Sequence, residues 1–367
     1  MRILHISSAK TFGGGERHLV DLTRGLTLRG HEVFVVLRPT NEWQDRLDFL
    51  PPENILHSSI RNAFGIFSAQ KIANFVNQKN VEIVHAHVAR DYIPASLVCR
   101  TSKNAKFVLT RHVLFPMKPF HRFALGNLSR AIAVSSAVQI NLRNIFPKDK
   151  VKLISNGIDT KNLTDETRKT LREEFRFLHN IPFDAQVVGT VGELKELKGQ
   201  RDFVLAANEI AKQRDNAFFV VVGKDNATNQ PFRRELKRLV KVFNLKERFL
   251  WLDWIEDMQS LLSSFDIFVS ASHSESFGLS ILEAMANKTP IVSTETEGAK
   301  ELLRNNETAL LVPVKEPLKL AEAIENLLES TEKRETFAKK AQSFAEKQFS
   351  LEEMVSKTEN LYREVLR

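Results

Sequence analysis

The 367-residue chain contains a single cysteine, Cys99, which excludes an intrachain disulfide framework and is typical of a reducing compartment. It has no run of about eighteen consecutive apolar residues, and Met1 leads directly into a strand pattern. The sequence therefore predicts neither a membrane span nor a signal peptide. Together these features predict a cytoplasmic protein, free or bound peripherally at the inner face of a membrane.

Several ligand-binding signatures are also missing. The chain contains no Gly-x-Gly-x-x-Gly dinucleotide pattern and no Gly-x-x-x-x-Gly-Lys-Ser/Thr phosphate loop. It lacks an Asp-x-Asp pair, with which many sugar transferases hold Mg²⁺ or Mn²⁺ against a diphosphate. No zinc-finger spacing, RNP-like aromatic strand or recognition-helix signature accompanies the net charge of +8, so we predict no nucleic-acid partner.

Strand and helix patterns alternate along the whole chain, which predicts parallel α/β sheets. Six apolar runs in the first half are followed by a second series of six that begins at Val187. We interpret the polar stretch 160–174 as the connection between them. The prediction is two doubly wound, Rossmann-like domains facing across a cleft, at 1–165 and 166–349, with a C-terminal helix at about 350–367 packing back on the first.

The most informative pattern is Glu-Ser-Phe-Gly-Leu-Ser-Ile-Leu-Glu, which begins at Glu275 and ends at Glu283. The preceding strand pattern and the helical spacing from Leu279 place Glu275 in a strand-to-helix loop and Glu283 about one turn inside the helix. At such a helix start, the backbone N–H groups of Phe277, Gly278 and Leu279 favour an anion or an acceptor-rich ligand. A sugar nucleotide has both kinds of group. The alternative is a pair of surface glutamates.

Four other loops follow predicted strands at matching points of the chain. Their glycines let the backbone approach a phosphate closely, and a lysine in one of them would be a point charge beside a diphosphate. These loops are Gly13-Gly14-Gly15-Glu16, Asn156-Gly157-Ile158-Asp159, Gly192 to Lys198-Gly199, and Gly298-Ala-Lys-Glu301.

Taken together, the motifs resemble those of the retaining glycosyltransferases of family 4, which have the two-domain GT-B fold. The resemblance covers nearly the whole chain and ends at the Leu-Val-Pro of 311–313. It implies transfer of a sugar from a nucleotide diphosphate sugar, with UDP favoured, to a hydroxyl group of a glycolipid, lipopolysaccharide or other cell-surface glycan. It also implies that the anomeric configuration is kept. The absence of an Asp-x-Asp pair predicts that no metal or other cofactor is needed, and that Lys198, helix N-termini and backbone N–H groups neutralise the leaving diphosphate.

The resemblance also implies roles for particular residues. Glu275 would face the donor sugar, Glu283 the ribose and Lys198 the diphosphate, while His112 would hydrogen-bond a hydroxyl of the transferred sugar. The predicted catalytic residues are therefore His112, Glu275 and Lys198. The predicted donor-binding residues are Gly14 and Gly15, which would close over the phosphates from the other domain, and Lys198, Ser276, Phe277, Gly278, Leu279 and Glu283.

Three positions depart from the family pattern. Glu193 stands where members commonly have an arginine that resembles a second diphosphate clamp. Either another cation replaces it, with Lys195 and Arg17 the nearest candidates in sequence, or the donor binds less tightly. Asp253 and Glu297 stand where glycines are usual, which affects loop geometry rather than the reaction.

Three histidines follow two neighbouring strands. His85 and His87 point to the same face of a strand end, and His112 follows the next strand. A zinc site built from these three is one interpretation. Ordinary hydrogen bonding is the other, and we favour it because no carboxylate or cysteine partner is evident.

Residues 101–150 carry nine Lys or Arg and one acidic residue, a balance of 9 − 1 = +8 that equals the excess of the whole chain. Helical spacing would align Phe120, Phe123 and Leu128 on one stripe, which is typical of a membrane-surface segment but also of a helix packed on a core. The membrane-docking candidates are Lys118, Phe120, Arg122 and Phe123.

Other functions on the same fold remain open from the sequence. One is a sugar-nucleotide epimerase, and a phosphorylase would require a pyridoxal phosphate lysine and a longer chain. Another is a non-catalytic descendant that binds glycan or membrane, which the missing arginine at Glu193 keeps in consideration.

Overall fold

A computed structural model describes residues 1–60, 66–102, 104–159 and 163–367. The chain divides into two compact units: unit 1 comprises Met1–Asp159 and Phe349–Arg367, and unit 2 comprises Thr160–Gln348. The first change of unit thus follows Asp159, whereas the sequence predicts it after residue 165. The start of the predicted connection, 160–162, lies outside the described residues.

Unit 1 is built on a parallel sheet whose described strands have the order β3-β2-β1-β4-β5-β6-β7. These strands are β1 Arg2–Ser7, β2 Glu32–Leu37, β3 Ile55–His57, β4 Ile83–Ala86, β5 Lys106–Arg111, β6 Leu128–Ala133 and β7 Val151–Leu153. The sequence did not predict β3, and none of its three residues is fully buried. The strand order reverses between β1 and β4, so the loops after these two strands lie side by side.

The C-terminal helix belongs to unit 1. A Cβ atom on Gly25 would lie 2.5 Å from the Val355 side chain, so the first and last helices are in close contact. The Arg29 guanidinium also lies 2.6 Å from the Glu359 carboxylate. The helices of unit 1 are α1 Gly14–Leu28, α2 Ile66–Gln78, α3 Tyr92–Thr101, α4 His121–Ala124, α5 Ser136–Arg143 and α14 Leu351–Leu366. Short 3-10 turns occupy Gln44–Leu47, Pro52–Asn54, Ala89–Asp91 and Lys148–Lys150.

Unit 2 contains a second parallel sheet, in which the described strands have the order β10-β9-β8-β11-β12-β13. The strands are β8 Gln186–Val191, β9 Ala217–Val222, β10 Phe249–Leu252, β11 Ile267–Ser270, β12 Ile291–Thr294 and β13 Leu310–Val312. All six were predicted. Here the strand order reverses between β8 and β11. These two strands are paired in parallel, with Ile267 opposite Val188.

Helices cover this second sheet, and their apolar residues form a core with those of the strands. On α8, for example, Phe232, Leu236 and Val240 recur at four-residue intervals and are buried. The helices are α6 Asp165–Leu178, α7 Gln200–Ala211, α8 Pro231–Val242, α9 Met258–Ser264, α10 Leu279–Ala286, α11 Glu297–Leu302, α12 Pro317–Glu329 and α13 Thr331–Gln348. Two 3-10 turns span Glu196–Lys198 and Lys246–Arg248.

The prediction of a connection at 160–174 is wrong from Asp165 onward, because α6 begins there. The Thr164 hydroxyl caps this helix by accepting a hydrogen bond from the Thr167 N–H. The guanidinium of Arg176 is buried and donates to the Asp266 carboxylate at 2.9 Å. The first turns of α6 are charged and polar, and its buried residues, Phe175 and Arg176, come only near its end, so hydrophobic spacing at its start did not detect it.

The predicted stripe through Phe120, Phe123 and Leu128 is also wrong. The helix α4 ends at Ala124, and Leu128 is the buried first residue of β6. Asn127 fixes the turn between them, because its side chain exchanges hydrogen bonds with the Ser96 hydroxyl at 2.6 Å and the Ser96 carbonyl at 2.9 Å. Among the described residues, no helix is both long and apolar enough to cross a bilayer.

Candidate functional site

Two loops of unit 2 meet where its strand order reverses. One follows β8 and runs from Gly192 to Gly199, and the other follows β11 and runs from Ala271 to Gly278. Because β8 and β11 are paired and parallel, both loops leave the same edge of the sheet. In open α/β sheets this edge, at the point of strand reversal, is where ligands bind.

The structure brings two predicted catalytic residues together across these loops. The Lys198 ammonium lies 2.5 Å from a carboxylate oxygen of Glu275. The Lys198 side chain is 25% exposed and that of Glu275 is 14% exposed, so the pair is largely shielded from water. An ammonium group has three donors, so Lys198 can contact a further anion while one donor remains on Glu275.

The two loops are held together by backbone and side-chain hydrogen bonds. The His273 N–H donates to the Leu197 carbonyl at 2.8 Å, next to Lys198. The His273 ring lies 2.7 Å from the carboxylate of Asp202, on α7. Sequence reasoning missed this His273–Asp202 contact, since nothing in the spacing of the two residues indicates it. This contact helps to hold the loop that carries Lys198 next to the loop that carries Glu275.

The other donor-binding candidates of unit 2 lie around the start of α10. This helix begins at Leu279, after Gly278 with its positive φ of 98°. Phe277 is buried and Ser276 is half-buried, while Glu283 is half-buried in the second turn. The structure therefore places all of them on one strand-to-helix segment, in the order that the sequence predicts.

The Glu275–Glu283 segment is anchored by the loop after β12. The Gly298 N–H donates to the Glu275 carbonyl at 2.9 Å. The approach is so close that a Cβ atom on Gly298 would lie 2.7 Å from the backbone of Phe277. Glu297, in place of the usual glycine, points to Lys300 at 2.8 Å and so does not disturb this contact.

Glu193, which replaces the family's arginine, is paired rather than free. The Lys195 ammonium lies 2.5 Å from its carboxylate, and the Asn226 amide donates to it at 3.1 Å. Burial alone would raise the pKa of Glu193, but these hydrogen bonds outweigh it and the pKa is lowered. The other predicted substitute cation, Arg17, lies in unit 1 and pairs with Asp21 at 2.9 Å. Both candidates for a second diphosphate clamp thus have carboxylate partners.

Asp253, the third departure, forms an ion pair with Arg233 at the start of α8. It therefore adds a local constraint between β10 and α8.

In unit 1, the glycine loop lies against His112. Gly14 begins α1, and a Cβ atom on Gly15 would lie 3.6 Å from the His112 ring. His112 directly follows β5 and is half-buried, next to the buried Arg111. The sequence assigns the glycine loop and His112 only to the same domain, whereas the structure places them next to each other.

His112 belongs to a cluster of five histidines, which we call the histidine cluster. Its members are His5 on β1, His18 on α1, His85 and His87 at the end of β4, and His112. Neighbouring ring centroids are 4.1 to 5.8 Å apart. The sequence predicted three of these residues as neighbours and missed His5 and His18.

Burial controls protonation in this cluster. It lowers the pKa of His5 to about 3 and that of His18 to about 4, with a smaller contribution from repulsion by His18 for His5 and an opposing hydrogen bond from the His18 ring to Asn156 for His18. Burial also lowers the pKa of His85, His87 and His112 well below the usual value. The rings are therefore neutral at pH 7, and each offers an unprotonated nitrogen.

The membrane-docking candidates lie on an exposed part of unit 1. The Phe123 side chain is 82% exposed, and Phe120 and the neighbouring Phe115 are 43% and 66% exposed. Lys118 and Arg122 are exposed between them. Although the predicted stripe is absent, aromatic and basic side chains share this segment.

Two family models match the chain, and together they cover most of it. The model described as "Glycosyltransferase Family 4" matches residues 12–162, and the model described as "Glycosyl transferases group 1" matches residues 172–344. The first match lies in unit 1 except for its last three residues, and the second lies in unit 2.

Curated relatives match over nearly the full length. The N-acetyl-alpha-D-glucosaminyl L-malate synthase of Bacillus anthracis is 25% identical, with 99% of this chain and 97% of the relative covered. The lipopolysaccharide core biosynthesis glycosyltransferase LpsE of Rhizobium meliloti is 25% identical, with 96% of each chain covered.

Solved structures show the same fold. A glycosyltransferase from Rickettsia africae is similar with a TM-score of 0.86 at 24% identity, and 100% of this chain and 98% of that one are covered. Anabaena HepE in complex with UDP and glucose is similar with a TM-score of 0.84 at 22% identity, with 98% of each chain covered. The two parallel-sheet units therefore have the GT-B architecture.

Proposed function

Because the chain belongs to family 4 of the glycosyltransferases, we propose that it is a retaining enzyme that moves a sugar from a UDP-sugar to a hydroxyl group of a cell-surface glycan. The observation that carries this proposal is the Lys198–Glu275 pair at the strand reversal of unit 2. That edge is the ligand-binding edge of such sheets. The choice of UDP is supported by the Anabaena structure with UDP, and the acceptor class by the lipopolysaccharide role of the Rhizobium relative.

In the proposed reaction, the bond between the anomeric carbon and the diphosphate oxygen breaks as the acceptor oxygen bonds to that carbon on the same face. The acceptor proton passes to the leaving phosphate oxygen, which balances the step. Lys198 neutralises the charge that grows on the leaving group. Glu275 accepts hydrogen bonds from the sugar hydroxyls; its contact with Lys198 argues against a role as a free nucleophile. His112 positions a hydroxyl of the transferred sugar.

The direct test is donor turnover by the full chain with UDP-, GDP- and ADP-sugars, with and without glycan acceptors. We expect nucleoside diphosphate release that increases with a suitable acceptor, and a product that keeps the donor's anomeric configuration. An inverted product would contradict the retaining assignment. Free epimerised sugar nucleotide would indicate an epimerase instead. Binding without turnover would indicate a non-catalytic descendant, consistent with the paired state of Glu193.

Glu283→Ala tests the ribose contact. A carboxylate that accepts hydrogen bonds from a ribose should lose about 1.5 to 3 kcal/mol of binding free energy on truncation, so the Kd of UDP should rise about 10- to 150-fold. Calorimetric titration with UDP measures this change. The control is Glu247→Ala, an exposed carboxylate on the 3-10 turn before β10, which should leave the Kd unchanged. An unaltered Kd in Glu283→Ala would remove this residue from the site.

EDTA tests whether transfer needs a divalent metal. Since the chain has no Asp-x-Asp pair and Lys198 supplies a cation, we expect the turnover rate with EDTA to equal the rate without it. The measurement is nucleoside diphosphate release before and after chelation, with Mg²⁺ and Mn²⁺ added back. Activity abolished by EDTA and restored by either ion would refute metal independence.

We further propose that the segment with Phe115, Phe120 and Phe123 docks the enzyme on an anionic membrane. The three exposed aromatic rings can enter the interface, and Lys118 and Arg122 between them can meet anionic lipid. Each basic residue near such a surface contributes about 1 kcal/mol. The excess positive charge of residues 101–150 also favours binding to an anionic membrane.

Lys118→Glu with Arg122→Glu should therefore reduce binding to vesicles that contain phosphatidylserine, while UDP affinity stays the same. Wild-type binding should fall steeply as salt rises, because such attraction is screened within about 8 to 10 Å at ordinary ionic strength. Sedimentation with vesicles measures both effects. The matched control is Lys339→Glu with Lys340→Glu, two exposed lysines on α13 of unit 2. Equal sedimentation of the Lys118/Arg122 variant and wild type would rule out this docking segment.

A further inference from the structure

Three rings of the histidine cluster surround a common point. We call His18, His87 and His112 the histidine triad. Their ring centroids are separated by 4.8 Å for His18–His112, 5.7 Å for His18–His87 and 5.8 Å for His87–His112. One nitrogen of each ring can be chosen so that all three lie within 4.8 Å of one another.

These separations fit a tetrahedral metal ion. With Zn–N distances of about 2.1 Å, three imidazole ligands place their ring centroids about 5 Å apart and their ligating nitrogens about 3.4 Å apart. The centroids of the triad already stand near that spacing, so rotation of the rings is enough to bring the nitrogens inward. We propose that the histidine triad is a binding site for a first-row transition metal ion such as Zn²⁺.

The hydrogen bonds around His87 favour this arrangement. Its Nδ1 is buried and has no hydrogen-bond partner, while its Nε2 lies 3.0 Å from Nδ1 of His5. His87 can therefore ligate through Nδ1 and donate its Nε2–H to His5. A second hydrogen bond of this kind is what orients most metal-bound histidines. Both nitrogens of His18 are buried, and since only one of them can donate to Asn156, the other can face the ion.

A second set of three, His5, His85 and His87, also has nitrogens within 4.8 Å of one another. It fits a metal less well. Both nitrogens of His85 are engaged, one with the Tyr362 hydroxyl at 2.5 Å and the other with the Thr110 hydroxyl at 2.7 Å. Binding there would break one of these buried hydrogen bonds. The chemistry of the residues therefore selects the triad that contains His18 and His112.

The triad leaves one coordination position open. His18 and His87 are 3% and 4% exposed and His112 is half-buried, so the site is largely shielded from water. Three histidines with a fourth position for water or another ligand form an open zinc site. If His112 contacts the transferred sugar, as the proposed function holds, a bound ion would compete with the sugar for that ring. Metal binding itself does not depend on that function.

Cobalt titration of the full chain tests the proposal. The protein is treated with EDTA, desalted and titrated with Co²⁺ in the absence of nucleotide, because four-coordinate Co²⁺ has intense visible absorption. We expect one Co²⁺ per chain with four-coordinate bands. His18→Gln and His112→Gln should each weaken binding at least about 100-fold, and His57→Gln, a half-buried histidine on β3, should not. His5→Gln removes only the orienting contact, so it should weaken binding about 10- to 100-fold.

Circular dichroism and thermal unfolding establish that each variant is folded. Absence of a one-to-one site in the wild type would overturn the proposal. So would a folded His18→Gln or His112→Gln variant that binds Co²⁺ as the wild type does. If His5→Gln lost more Co²⁺ affinity than His18→Gln, the ion would be bound by His5, His85 and His87 instead. That result would also overturn the assignment. Since no donor sugar is present, these results are independent of whether the chain transfers sugars.

Discussion

Lys198→Ala is expected to lower kcat about 100- to 1,000-fold, with a smaller change in the KM for the donor. The reason is that Lys198 meets a charge that is largest in the transition state, and loss of one such preorganised donor has effects of this size. Steady-state release of the nucleoside diphosphate gives both constants. A raised KM with unchanged kcat would mean that Lys198 binds the donor equally in the ground and transition states.

This variant also leaves the Glu275 carboxylate without its cation, so folding has to be measured separately. The Tm of unit 2 should fall, because the carboxylate is only 14% exposed and loses its ion-pair partner. Lys212→Ala is the matched control. Lys212 lies directly after α7, and its ammonium group pairs at 2.8 Å with Glu209 on the protein surface. We expect wild-type kcat from this control.

Gly199→Ala is expected to reduce activity by a similar factor through the backbone. Gly199 has a φ of 66°, and an added Cβ would lie 1.8 Å from the Ala271 carbonyl oxygen. Left-handed strain of about 1 to 2 kcal/mol and overpacking of about 1 to 3 kcal/mol should together destabilise unit 2 by about 2 to 5 kcal/mol. The loops that carry Lys198 and Glu275 must separate to accept the methyl group, and a shift of about 1 Å can lower a rate about 100-fold.

Gly30→Ala separates the two contributions to this effect. Gly30 also has a left-handed φ, of 79°, but nothing lies within 4 Å of its added Cβ. This substitution should therefore cost only the strain of about 1 to 2 kcal/mol and leave kcat unchanged. Urea unfolding followed by a turnover assay compares the two variants. If Gly199→Ala were no more destabilising than Gly30→Ala and retained full activity, the close contact with Ala271 would have no role in the site.

The sequence predicted the parts of the site that depend on local order. A strand, a short loop and a helix start form a contiguous signal, so the segment from Glu275 to Glu283 was placed correctly from its spacing. The pairing of Lys198 with Glu275 could not be seen, because it depends on β8 and β11 being neighbours although they are far apart in sequence. Strand order arises from packing of the whole sheet and leaves no local pattern.

Polar contacts explain the other failures. The start of α6 was missed because its first turns are charged and its arginine contacts reach Asp266, far away in sequence; the stripe at Phe120 was wrong because Asn127 turns the chain. His18 joins the histidine cluster from a helix, whereas the predicted histidines follow strands. In each case the decisive contact joins side chains that are far apart in sequence. Hydrophobic periodicity is a local signal and does not show such contacts.

Hydrogen–deuterium exchange of the full chain with a bound nucleoside diphosphate tests the central claim most directly. The ligand is whichever of UDP, GDP and ADP raises the Tm most; at about 100 times its Kd it should stabilise the protein by about 2.7 kcal/mol. We predict slower exchange in two segments of unit 2, 192–199 and 276–283, and little change on the opposite side of the sheet. No stabilisation by any of the three nucleotides, or protection that spares both segments, would contradict a nucleotide-sugar site at this strand reversal.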